Sequence, residues 1–251
     1  MTSEDQLASA IDKCSPGRHV TELWSDWVHM VAIAIANAVA YREDREKLYQ
    51  AYVSKYTPDE IERMKQAFAL YVDLVDANPY QDLLGNTYMH LDMGNSQTGQ
   101  FFTPYNIASL TASLGIEAVV DEIKRNGYCA LNDPACGGGA MLIAGADALR
   151  RRGVNYQKSA FFVGQDLNAT TALMCYIQLS VLGCAGYVRV GDTLRDPPTG
   201  RAIFAPQGDG VWTMPGYYDA VWVGRRTSMF MDDVIKEVQH GRARERYPAY
   251  K

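Results

Sequence analysis

Apolar side chains return every three or four positions along the first hundred residues. Trp24, Trp27, Val28, Val31, Ile35 and Val39 form one such stripe, the mark of an amphipathic helix. The run from Val28 to Ala40 is apolar but too short to span a bilayer, and the charged residues 41–47 close it, so it reads as a buried helix face. A charged, amphipathic stretch continues to about Ser54. The segment 56–75 opens on Thr57, Pro58 and Glu60, which suit an N-cap, a first helical turn and the third position of a capping box. A further helix is expected over 80–92, and residues 93–100 read as a polar loop rich in Gly, Ser and Asn.

From about residue 100 the period changes. Thr103 and Pro104 read as the cap and first position of a helix over 103–123. Four apolar segments of strand length then follow, at 127–133, 159–166, 186–192 and 218–223. Helices to about Arg152 and from Asn168 to Leu182 separate the first three. A Pro/Gly-rich loop precedes the fourth, and a last helix is expected over 229–241. Strands alternating with helices require right-handed crossovers and a parallel sheet. The expected fold is therefore α/β, with a doubly wound, mainly parallel sheet truncated after the fourth strand. An N-terminal helical domain (1–97) precedes the sheet domain (98–251).

The 251 residues are those of an ordinary globular chain, nearly half apolar. A net charge of −5 argues against gripping nucleic acid by charge alone. Cys14, Cys129, Cys136, Cys175 and Cys184 are scattered, without Cys-x-x-Cys spacing, and read as reduced thiols of a cytoplasmic protein. The polar, acidic N-terminus is unlike a signal peptide. No residue set suggests a metal site.

The strongest chemical signal is the passage from Asp133 through Pro134, Ala135 and Cys136 to Gly137, Gly138 and Gly139. A strand ends there in a tight turn and an amphipathic helix begins. Glycines permit close approach of backbone to a ligand and positive φ. The turn matches neither Gly-x-Gly-x-x-Gly nor a phosphate loop ending in Gly-Lys-Ser/Thr. Asp133 would repel a phosphate and suit a cation or amine, such as those of S-adenosyl-L-methionine. The second strand ends at Asp166 and Leu167, where a carboxylate can accept from ribose hydroxyls. The third ends at Asp192 and Thr193, where one can accept from an adenine amino group. Three acidic strand ends beside a glycine turn favour an adenosine-type cofactor over helix capping alone.

These segments, with residues 99–108 before them, resemble the cofactor half of N-6 adenine DNA methyltransferases, in particular the modification subunit of type I restriction–modification systems. The resemblance covers roughly Asn78 to Val223. It implies that Phe102, Thr103 and Pro104 wall the methionine end of S-adenosyl-L-methionine. Asp133, Ala135, Cys136 and Gly137 would form the loop beneath it. Asp166 and Leu167 would stand at the ribose, and Asp192 and Thr193 at the adenine. Three glycines stand where the family has Gly-Ser-Gly, a change of one small residue for another. The family also runs its fourth strand into Asn-Pro-Pro-Phe/Tyr, whose Asn side chain and proline carbonyl accept from the target adenine. Laid on this chain, that motif falls on Gly224, Arg225, Arg226 and Thr227, so no catalytic residue is assigned. Arg only donates, and Thr has no ring to stack. Asn78, Pro79 and Tyr80 lie in a helical pattern too close to residue 100 to be that motif, and read as a helix junction.

Two functions of one family follow: a DNA adenine N-6 methyltransferase, or a non-catalytic S-adenosyl-L-methionine-binding accessory or regulatory subunit. Expected partners are DNA, reached through a partner subunit, with a specificity subunit or a second copy of the chain, and no membrane. The charged C-terminal segment 237–251 reads as a solvated helix face. A nicotinamide oxidoreductase is disfavoured by the absent Gly-x-Gly-x-x-Gly and by the lack of a proton-relay pair among His19, His29, His90 and His240.

Overall fold

The computed structural model describes residues 1–91, 102–198 and 201–239. Five helices come first: α1 (Ser3–Asp12), α2 (Val20–Val39), α3 (Glu43–Val53), α4 (Pro58–Ala77) and α5 (Leu83–His90). The capping box read at Thr57 is present, with Thr57 and Glu60 each bonded to the other's backbone amide. Trp24, Trp27, Val28 and Val31 are buried along one face of α2, and the apolar core runs without a break from Leu7 through these helices to Trp212. Asn78 caps the end of α4, and the Tyr80 ring lies edge-on to Tyr156 under the Arg150 guanidinium. The expected loop at 93–100 and the expected boundary at 97/98 lie outside the described residues, as does most of the expected charged tail.

Next come α6 (Tyr105–Asn126), β1 (Cys129–Asp133), α7 (Ala140–Arg151), the single turn α8 (Tyr156–Ser159), β2 (Ala160–Asp166), α9 (Ala169–Val181) and β3 (Ala185–Val190). They are followed by β4 (Val211–Thr213), a 3-10 turn (Pro215–Tyr218) and α10 (Ala220–Gln239). Helix α6 starts one residue later than expected. Pro104 is its N-cap and no side chain caps it, which leaves the Thr103 hydroxyl out of capping.

The sheet order is β1-β2-β3-β4, the first three strands parallel and the fourth antiparallel to β3. Alternate side chains feed two layers. Phe162 and Val188 pack toward the core shared with α7 and α9. Phe161, Val163 and Tyr187 pack toward Ile203, Tyr217 of the 3-10 turn and Trp222 of α10. This is an α/β fold built on a mixed sheet. The edge beyond β4 is fastened to α3: Arg45, itself buried, donates to the Val211 carbonyl at 2.8 Å, with its guanidinium 4.4 Å from the centre of the Trp212 ring.

The strand expected at 218–223 is not one. Those residues end the 3-10 turn and begin α10, and the fourth strand is the short Val211–Thr213 inside the expected loop. Trp222 is fully buried while Val221 and Val223 are exposed, an alternation that a strand would share over three residues, so the longer run separates the two. Burial recurs at Trp222, Arg225, Arg226, Met229 and Asp233, a helical period. The indole of Trp222 packs on Phe161 and Tyr128 and donates to the Gln157 carbonyl at 2.8 Å.

Candidate functional site

A cavity of about 330 Å3 opens at the carboxyl ends of β1 and β2, a size that suits a small ligand. The turn after β1 forms its floor. The Asp133 carboxylate accepts from the Ala135 N–H at 3.1 Å, bending the chain back on itself. The Cys136 N–H donates to the Gln165 carbonyl at 2.9 Å, so the turn stays attached to β2. Gly137 and Gly139 both take positive φ, +50° and +100°. A methyl group at Gly139 would meet the Cys175 sulfur at 2.9 Å, so this turn tolerates no side chain there.

Of the residues expected to hold a cofactor, the cavity is lined by Phe102, Thr103, Asp133, Ala135, Cys136, Gly137 and Asp166. Pro104 stands beside it as the N-cap of α6. Leu167 is 74% exposed and does not line it. Nor do Asp192 and Thr193. The Asp192 carboxylate accepts from the Leu194 N–H at 2.9 Å, and the Thr193 hydroxyl donates to the Pro134 carbonyl at 2.6 Å. The loop after β3 therefore braces the turn from outside the cavity.

Asp166 has a heavier structural duty than expected. Its Oδ2 accepts from the Gly137 N–H at 2.9 Å, and its Oδ1 accepts from the Asn168 N–H at 2.9 Å and the Thr171 hydroxyl at 3.0 Å. A carboxylate has about four acceptor positions, so one remains for a ligand. Thr171, Ala140 and Met141 also line the cavity and were not anticipated. The available signal was positional: each lies in the first turn of a helix that directly follows a strand end.

Among the described residues, the lining carries two carboxylates and no Lys or Arg. Burial pushes the Asp133 carboxyl above its ordinary range, with the charge of Asp166 adding to the rise and the Ala135 N–H opposing it. A ligand bringing positive charge would relieve that cost, and the Phe102 ring offers it an apolar wall. No group of His, Cys, Asp and Glu suited to a metal ion occurs among the described residues, and no helix there is long and apolar enough to cross a membrane.

Gly224–Thr227 stand elsewhere. Arg225 donates to the Lys158 carbonyl at 2.6 Å and to the Gly127 carbonyl at 2.7 Å, just before β2 and β1 begin. Its guanidinium lies 4.5 Å from the centre of the Trp222 ring. Arg226 donates to the Tyr217 carbonyl. Arg225 thus fastens α10 to the amino ends of β1 and β2, opposite the cavity, and Arg226 ties it to the 3-10 turn. The expectation that they occupy a catalytic position at a strand's carboxyl end is corrected accordingly.

Residues 79–244, well over half of the chain, match the family model described as N-6 DNA Methylase. The chain is also 28% identical over 152 residues to the type I restriction enzyme MjaVIII methylase subunit of Methanocaldococcus jannaschii. That alignment covers 54% of this chain and 24% of the relative, so the chain spans about a quarter of the relative's length.

Proposed function

Since this chain belongs to the N-6 DNA methylase family, we propose that its acidic cavity binds S-adenosyl-L-methionine for methylation of adenine N-6 in DNA. The observation that carries this reading is the cavity at the ends of β1 and β2, walled by Phe102, Asp133 and Asp166, with no basic side chain among the described lining residues. Asp133 would take the amino or sulfonium charge, the remaining acceptor position of Asp166 would take a ribose hydroxyl, and Phe102 would cover the methionine end. Asp192 and Thr193 lie beyond the cavity lining, so their part in this reading is to fix the turn through the Thr193–Pro134 bond. When bound, the cofactor would supply an electrophilic methyl group for the adenine amino nitrogen, with Asp133, Asp166 and Phe102 holding it in place.

One observation favours a divided role. Asn-Pro-Pro occurs nowhere in the 251 residues, and the residues that align with it lie at the far end of the sheet from the cavity. The chain would then provide cofactor binding, while a companion polypeptide provides the pocket for the target base and contact with DNA. On this reading the parallel β1-β2-β3 unit is the cofactor half of a methyltransferase sheet.

Calorimetry with S-adenosyl-L-methionine and S-adenosylhomocysteine tests the cofactor reading. Saturable binding, weakened by Asp133→Ala, is expected, and absence of heat with both ligands would reject it. Transfer of labelled methyl groups to unmethylated DNA, by the chain alone and with its gene neighbours' products, separates the two roles. Turnover by the chain alone would reject the divided one.

A further inference from the structure

A turn of three successive glycines loses more backbone entropy on being ordered than other sequences do. Asp166 holds one side of it, through the Gly137 N–H. The peptide group between Gly138 and Gly139, two along, is held by a second side chain. The Gln178 side chain of α9 donates to the Gly138 carbonyl at 2.7 Å and, through the same nitrogen, to Asp82 Oδ1 at 2.7 Å. Its oxygen accepts from the Leu84 N–H at 3.1 Å, and Asp82 Oδ1 also accepts from the Gly85 N–H at 2.9 Å. Asp82 and Gln178 are 1% and 3% exposed, so these bonds form out of reach of water.

Packing alone does not call for this pair. An apolar residue of the same size would fill the space at Gln178 but strand the Gly138 carbonyl and the Leu84 N–H, both buried. Asp82 is the N-cap of α5, and nearly two helical turns further along, Tyr88 sets its ring against Phe102, the centroids 5.5 Å apart. Helix α5 therefore touches the floor of the cavity through Asp82 and Gln178, and its wall through Tyr88.

We propose that Asp82 and Gln178 are positioning residues for the cofactor site, orienting the Gly138 peptide so that the glycine turn is held open for the ligand. The inference rests on the cofactor reading above. Burial also pushes the Asp82 carboxyl up from its ordinary range. An amide of the same shape, which keeps the acceptor oxygen without the charge, therefore suits the position.

The test uses the full chain. Q178M keeps volume and removes the bonds, D82A removes the acceptor, and D82N keeps it. Affinity for S-adenosylhomocysteine is measured by calorimetry, and exchange of the turn's amides by mass spectrometry on peptides covering residues 136–140. Q178M and D82A should bind roughly tenfold more weakly, as expected when one buried anchor is lost, and exchange faster in that turn. D82N should bind within roughly threefold of the unaltered chain, with its exchange unchanged. Unaltered affinity and protection in Q178M would overturn the proposal, and so would a D82N as impaired as D82A. If D82A does not fold, Q178M and D82N decide. No heat from the unaltered chain would reject the cofactor reading, while the exchange comparison would still judge the clamp.

Discussion

Replacing Asp166 with asparagine keeps the shape of the side chain but removes one of its two acceptor oxygens. Three donors converge on the carboxylate: the Gly137 N–H, the Asn168 N–H and the Thr171 hydroxyl, all within 3.0 Å. If the new NH2 takes the place of Oδ2, it faces the Gly137 N–H, donor against donor. If it takes the place of Oδ1, it faces the Asn168 N–H, although the Thr171 hydroxyl can rotate to accept. One orientation frees the glycine turn and the other frees the start of α9. A hydrogen bond to a charged group contributes about 1.5–3 kcal/mol. The site is half-exposed, so the lower end applies and D166N should cost about 1.5 kcal/mol. For a chain of this size that lowers the melting temperature by about 3–6 °C. Differential scanning calorimetry measures this directly, and exchange at the 136–140 peptides reports which orientation the amide adopts. An unchanged melting temperature together with unchanged exchange would refute the three-donor arrangement. Unchanged affinity for S-adenosyl-L-methionine in a folded D166N would refute the ribose reading separately.

Three further outcomes are expected. W222A should cost about 3–5 kcal/mol in chemical denaturation, the usual cost of emptying a large buried aromatic site, whereas V223D should change stability by less than about 0.5 kcal/mol; a W222A as stable as the unaltered chain would contradict the burial of the indole against Phe161. G139A should lose about 1–3 kcal/mol through its positive φ and its approach to Cys175, lowering the denaturation midpoint, and an unchanged midpoint would contradict the turn geometry. For Asp133, burial raises the folded carboxyl above its ordinary value near 3.8. Its destabilising effect is therefore absent below that value, grows as pH rises from it, and is constant above the raised folded value. A cationic ligand relieves that effect, so affinity for S-adenosyl-L-methionine should rise with pH across the same window and level off; D133N should abolish the dependence, as calorimetry in buffers of several pH values would show.

The parallel core of the sheet was legible because each of its strands is an apolar run ended by a polar or acidic break. Asp133 and Asp166 ended β1 and β2 where expected, and the helix read from Asn168 to Leu182 is α9, with those two residues as its caps. The region after β3 was not legible. Val221, Trp222 and Val223 have strand propensity in a short window, and a short apolar run does not separate strand from helix. The helical period becomes visible only when Arg225, Arg226, Met229 and Asp233 are counted with Trp222, and charged residues in such a stripe do not look apolar. Each of the two arginines buries its stem and ends on a carbonyl, which no pattern of apolar positions reveals. At the site, residue types pointed correctly to a glycine turn with carboxylates beside it. They could not show that Asp166 spends three acceptor positions on its own chain, or that Thr193 faces Pro134. Both depend on how two loops meet.

The Arg45 anchor on β4 has a consequence for how this sheet can grow. A sheet has two edges at which a further strand may add. At β4, the Val211 carbonyl is already taken by a buried guanidinium, and the strand is only three residues long. At β1, the outer side has no strand partner among the described residues. Growth of the sheet is thus blocked at the Val211 carbonyl, which leaves β1 as the edge whose carboxyl end, at Asp133, borders the cavity.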